Sequence, residues 1–240
     1  MKKIFMSENY ISALSDIYGA EVHKHLMLEL FMKCDGDCQA IIEGNLLTAN
    51  CILIDSNVEH TIAEKNQCGF VMFIDPVSSI AKQLQYMYIK GKKFCILNLD
   101  NIQLQLKQSY NNLNAENIKE FERQLFGFIK IDYHISNQYD DRISRLLEIL
   151  DKGGIEYSIP EISEAICLSP SRISHLFKEQ VGVSLKSYLQ YRRLVMAYRL
   201  LFQGKSITEA ALMTGFDSPS HLAATNKKMT GLSASELLKD

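Results

Sequence analysis

Two stretches of this 240-residue chain carry the same pattern: SIPEISEAICLSPSRISHLFKEQVG at 158–182 and SITEAALMTGFDSPSHLAATNKKMTG at 206–231. The offset is 48 residues at the start and 49 after a one-residue insertion at Asp217. Each copy opens with a capping box, Ser158/Glu161 and Ser206/Glu209, in which the serine caps an orphan N–H and the glutamate reaches back. About two helical turns follow, then a break at Cys167 or Gly215. The chain restarts at Ser169-Pro170 or Ser218-Pro219, with serine as N-cap and proline at the first helical position. Gly182 and Gly231 suit the left-handed position that ends a helix. A short helix, a tight turn and a longer second helix make a helix-turn-helix, which lays its second helix in the major groove. One copy could equally be a hairpin in a helical bundle; two in tandem favour DNA.

The segment between the copies supports that reading. Ser184 to Phe202 holds no proline or glycine, and Gly204 follows as a stop. Leu185, Tyr188, Leu189 and Leu200/Leu201 serve one face, while Tyr191, Val195, Tyr198 and Phe202 serve another, so this helix packs on both sides. Its 19 residues span about 28 Å, against roughly 34 Å for one turn of B-DNA. The formal net charge of −2 excludes a globally basic coat. Residues 165–228 nevertheless carry nine Lys/Arg against three Asp/Glu, a local +6. Residues 1–135 hold 13 basic and 16 acidic residues, and 136–240 hold 13 and 12.

Residues from about 140 to 238 resemble the AraC/XylS family of transcription regulators, whose DNA-binding domain carries two helix-turn-helix units in seven helices. The matching text is ICLSPSRISHLFKEQVGVSLKSYLQYRRLVMAYRLL and SITEAALMTGFDSPSH followed by KKMTGLSASELL. The resemblance implies bacterial gene regulation, usually activation through contact with RNA polymerase, and favours a homodimer. In the first reading helix, Ile173, Leu176, Phe177 and Val181 form the inward stripe, leaving Ser171, Arg172, Ser174, His175 and Lys178 outside. The resemblance places base reading at Ser174 and His175, with Ser171 near the helix start; Arg172 and Lys178 suit phosphates. The family often has arginine where His175 stands, and histidine lacks that bidentate fork. The second unit departs from the pattern, with Asn226 and Thr230 at usually apolar positions and Ala224 where a base-reading arginine is usual. It is expected to hold the DNA backbone through Ser218, Ser220, His221, Lys227 and Lys228, unless Asn226 bonds locally and the helix docks normally.

The first half reads differently. Residues 23–33, 38–43, 46–54 and 68–74 are apolar or alternating, separated by turn formers at 34–37, 43–45, 55–57 and 65–67. From about Val77 the period turns helical, with Ile80, Leu84 and Met87 on one face and Ile118, Phe121, Leu125 and Phe128 on another. The second stripe suits either packing on its own domain or a dimer interface. His23, His25, Glu29 and Gly36 resemble the first motif of the cupin barrel, and His60 follows where a third histidine would stand. Positions 23, 25 and 29 share a strand face. The loop before His60 has Asp55 and Asn57 where cupins carry proline and glycine, so the four residues are expected to hold no metal, and no cofactor is implied. They remain candidates for binding a small-molecule effector.

The expected architecture is thus α+β multidomain: a cupin-like β-barrel sensor over 1–76, a helical linker or dimerisation region over 77–135, and an all-α DNA-binding domain over 136–240. The expected function is a sequence-specific DNA-binding regulator, an activator and not an enzyme, with double-stranded DNA and RNA polymerase as partners. The alternatives are a metal-dependent cupin enzyme fused to a DNA-binding tail, or a regulator controlled by a protein partner. No apolar run reaches membrane-spanning length, and MKKIFMSEN lacks the features of an export signal, so a cytoplasmic protein with six free cysteines is expected.

Overall fold

The structure, a computed structural model, describes residues 3–15, 20–63, 68–132, 134–135, 137–152 and 157–231. The turn expected at 65–67 and the SASELL text near the C-terminus lie outside the described residues. The chain forms two compact units: Met1–Asn137 with Met229–Asp240, and Gln138–Lys228.

The first unit is built on strands β1 (Lys3–Met6), β2 (Tyr10–Ser15), β3 (Leu28–Lys33), β4 (Cys38–Ile42), β5 (Asn45–Ala49), β6 (Cys51–Ile54), β7 (His60–Ile62), β8 (Gly69–Ile74) and, after helix α1 (Ser79–Leu84), β9 (Phe94–Leu97). Helices α2 (Asp100–Ser109) and α3 (Ile118–Phe128) follow. A π-helical stretch, Gln85–Ile89, continues α1. The strands make one sheet in the order β1-β2-β8-β3-β6-β9 and a second in the order β5-β4-β7. Among the described residues these sheets do not close into the expected barrel. The expected strand 46–54 breaks at Asn50, and its two halves, β5 and β6, enter different sheets. Strand β9 brings part of the expected helical linker into the larger sheet, beside β6.

Strands β3, β6 and β8 are apolar on both faces because both are covered. Leu28, Leu30, Met32, Leu53, Phe70 and Met72 face a core shared with Ile80, Leu84, Ile102 and Leu106 of the helices. Phe31, Ile52, Ile54 and Val71 face Ala40, Ile42 and Ile62 of the small sheet. The stripe on α3 joins the first core through Ile118, Phe121, Leu125 and Phe126, so most of the face weighed as a dimer surface lies inside its own unit; Phe128, read as part of the stripe, is exposed. Glu122 is buried beside it, accepting from Ser12 Oγ at 2.5 Å and Tyr10 Oη at 3.0 Å. Burial pushes its carboxyl above the usual range, and those two hydrogen bonds only partly oppose the shift. All six cysteines are free thiols.

The second unit is helical: α4 (Asp141–Asp151), α5 (Ile159–Ala165), α6 (Pro170–Val181), α7 (Leu185–Phe202), α8 (Ile207–Met213) and α9 (Pro219–Thr230). The repeat accounts for its joints. Glu161 and Glu209 accept from the backbone N–H of Ser158 at 2.6 Å and of Ser206 at 2.9 Å, closing both capping boxes. Pro170 and Pro219 each begin a helix. The turn residues Cys167 and Gly215 take φ of +58° and +72°. Glycine adopts that region freely; cysteine does so at a cost, and it is tolerated here with an exposed side chain. Leu185, Tyr188, Leu189, Tyr191, Leu194 and Ala197 of α7 are buried, so the helix is covered on more than one side, but Phe202, expected on the second face, is exposed.

Candidate nucleic-acid interface and a histidine–glutamate cluster

The first helix-turn-helix is α5 and α6, the second α8 and α9. On α6 the inward stripe is Ile173, Leu176, Phe177 and Val181, all buried. Ser171, Arg172, His175 and Lys178 are exposed and Ser174 half-buried, as the spacing requires. Ser169 caps the helix by accepting from the Arg172 N–H at 3.2 Å. The Ser174 hydroxyl donates to the Pro170 carbonyl at 2.7 Å, which leaves its oxygen able to accept from a base. The His175 ring is 72% exposed and lies 3.7 Å from the Glu179 carboxylate one turn on.

On α9 the exposed residues are Ser220, His221, Ala224, Lys227 and Lys228. Ser218, expected on the DNA backbone, also caps the helix as its place before Pro219 implied, its Oγ accepting from the His221 N–H at 3.1 Å. His221 in turn sits 2.9 Å from the Asp217 carboxylate. The helix docks despite its polar inward positions. Asn226 is only 1% exposed, and its side-chain oxygen accepts from the Tyr198 hydroxyl of α7. Thr225, also buried, accepts from Gln190 Nε2 at 3.3 Å. Polar pairs thus replace the apolar contacts that Asn226 forgoes, and the helix docks, but with a partner on α7 rather than the local one its sequence position suggested.

Not every charge of the basic window faces outward. Arg192 reaches Asp151 at 2.7 Å and the Leu150 carbonyl at 3.1 Å, tying α7 to the end of α4. Its partner lies 41 residues away, beyond any local pattern. The Tyr198–Asn226 pair, 28 residues apart, was hidden for the same reason.

The first unit brings His23, His25, Glu29 and His60 together, with one ligand atom from each lying within 4.8 Å of every other. The proline-glycine turn expected to be necessary for aiming His60 is replaced by a different device. The backbones of His23 and His60 form an antiparallel bridge, exchanging N–H···O bonds of 3.1 and 2.9 Å. Residues paired in that way carry their side chains on the same face. Glu29 projects from β3 into the same inter-sheet space, and its Oε2 lies 3.0 Å from both His25 Nε2 and His60 Nε2. Burial works against the Glu29 charge, but the two histidines outweigh it and hold the carboxyl well below the usual range. Burial also disfavours a charged His60; Glu29 outweighs it and raises that pKa. Burial and the neighbouring His60 lower the pKa of His23 to about 4, leaving its ring neutral near pH 7.

Comparison with known proteins places this geometry. A helix-turn-helix domain family model matches residues 162–240. The chain is 37% identical over 81 residues to the arabinose operon regulatory protein of Salmonella typhimurium, covering 33% of this chain and 29% of that one. It therefore spans under a third of the length of that regulator. A probable transcriptional regulator of Photobacterium leiognathi, LumQ, is 25% identical over 200 residues, 75% of each chain. The whole fold is similar to that of ToxT from Vibrio cholerae, with a TM-score of 0.63 over 97% of both chains at 16% identity. Residues 162–240 are thus a helix-turn-helix domain, and over that part the chain resembles the AraC family of regulators.

Among the described residues, no helix is long and apolar enough to cross a membrane.

Proposed function

We propose that the protein is a sequence-specific transcription regulator that binds double-stranded DNA with α6 and α9 in successive major grooves. The tandem helix-turn-helix carries this reading, with Ser171, Arg172, Ser174, His175 and Lys178 outward on α6 and Ser220, His221, Lys227 and Lys228 outward on α9. Base discrimination lies mainly with α6, because Ala224 offers α9 no polar group at the position where the family reads a base. Activation through RNA polymerase, homodimerisation and a small-molecule signal received by the first unit belong to the same proposal, drawn from the family resemblance. The exposed placement of the reading residues supports the DNA-binding part of it.

The test is selection of duplexes from a randomised pool by the full chain, followed by footprinting. Two protected blocks about one helical turn apart, the stricter under α6, are expected. Equal retention of all sequences, or a single block, overturns the proposal.

A further inference from the structure

The space between the two sheets of the first unit holds four convergent ligands with no role in reading DNA. We infer that His23, His25, Glu29 and His60 form a binding site for one divalent first-row transition-metal ion, with three imidazole nitrogens and one carboxylate oxygen as ligands. The inference is independent of the DNA-binding reading and concerns only the first unit.

Ring orientation is the main ground. His25 Nδ1 lies 3.1 Å from the Met27 carbonyl, His60 Nδ1 2.9 Å from the Val58 carbonyl and His23 Nδ1 2.9 Å from the Glu21 carbonyl. A carbonyl only accepts, so each contact fixes a proton on Nδ1 and leaves the Nε2 lone pair on the opposite edge. For His25 and His60 that edge faces Glu29 Oε2, another acceptor, at 3.0 Å. A metal ion among these atoms converts the lone-pair contacts into bonds. Backbone carbonyls on the far ring nitrogens are also what orients metal-bound histidines in general.

Spacing agrees with the same reading. Metal–ligand bonds of about 2.1 Å put neighbouring ligand atoms about 3.0–3.4 Å apart in octahedral or tetrahedral geometry. Two separations are already 3.0 Å, and the widest, within 4.8 Å, needs only modest contraction. Backbone pairing fixes three of the ligands: Glu29 lies within β3, paired on both sides, and His60 of β7 is bridged to His23. Nitrogen-rich ligation with one carboxylate suits Fe(II), Co(II), Ni(II) or Zn(II) and disfavours Mg(II) and Ca(II), which prefer oxygen.

The full chain, stripped with chelator and dialysed, would be titrated with cobalt(II) chloride, following its visible ligand-field absorption and the metal content after desalting. One cobalt per chain is expected, with displacement by Zn(II) and a higher melting temperature. His60→Ala and Glu29→Gln should abolish the absorption. His23 is only partly buried, so His23→Ala keeps the His25–Glu29–His60 core and decides the matter should the buried variants fail to fold. It should weaken binding at least about tenfold and change the spectrum. Absence of saturable cobalt binding by the stripped chain overturns the inference, as does binding that His23→Ala leaves unchanged.

Discussion

Tyr198 and Asn226 form the polar pair that docks α9 on α7, and removing one partner should cost more than removing both. Tyr198→Phe takes a donor from the Asn226 side-chain oxygen, which is nearly inaccessible to water. A buried acceptor that loses its donor costs about 1–3 kcal/mol. Asn226→Leu instead leaves the Tyr198 hydroxyl facing an apolar neighbour, with a similar cost. The double variant Tyr198→Phe/Asn226→Leu removes both polar groups and supplies the apolar contact usual in the family, so it should return near the parent stability. The readout is amide hydrogen exchange along α9, which senses local opening without requiring the whole chain to unfold in two states. Each single variant should exchange about 5- to 150-fold faster there, and the double variant should recover most of that protection. A double variant as fast as the product of the two single effects would show that the pair does not couple α9 to α7, and the account of its docking would fall.

Four further outcomes follow from the same geometry. Phosphate contacts by Arg172, Lys178, Lys227 and Lys228 imply a slope of log affinity against log salt of about −3.6 from those residues, and Lys228→Ala should lower its magnitude by about 0.9 while weakening all sequences alike, as read by fluorescence anisotropy. His175→Ala should lose about 1–3 kcal/mol of discrimination at one operator position, whereas Ala224→Gly, which removes no polar group, should leave the operator profile unchanged; base-by-base competition would check both. Cys167→Gly relieves a residue held at φ +58° and should stabilise the α5–α6 turn by up to about 1 kcal/mol, seen as slower exchange in α5. The Glu122 pKa is raised in the fold, so its contribution to stability is fullest below the unfolded pKa and is lost as pH rises through the folded one. Glu122→Gln should therefore flatten the fall of the chemical-denaturation midpoint with rising pH; an unchanged pH profile would exclude ionisation of this carboxyl as its source.

The helical unit was legible because local signals govern its joints. Ser158/Glu161, Ser206/Glu209, Pro170, Pro219 and Gly182 each act within a few residues of where they stand, and all act as read. The sheets were less legible because strand pairing is non-local. Strands β1, β2, β7 and β9 went unread: β1, β7 and β9 are short, and β2 is defined by its pairing with β1 and β8 rather than by a strong apolar pattern. The break between β5 and β6 fell inside the stretch read as one strand, where a lone Asn50 is too weak a turn signal to mark the passage between sheets. At the candidate DNA interface, outward positions followed from helical period alone, and the cap at Ser218 followed from the proline after it. At the histidine cluster the residues were visible and their convergence was not, because a backbone bridge between residues 37 positions apart does the aiming.

Helix α7 has a consequence for how this protein and its target sites can evolve. It is a single uninterrupted helix from Leu185 to Phe202, capped by Ser184 and followed by Gly204 at φ +86°. Inserting one residue within it would turn everything beyond the insertion by about 100° around the axis. The second reading helix would then face away from the groove the first one follows, and no single base-pair change in the operator could restore the match. Substitutions on the reading faces can accumulate one at a time, each altering which bases are preferred. A change in the length of α7 has no such gradual path, so sequence preference is free to drift while half-site spacing stays inherited.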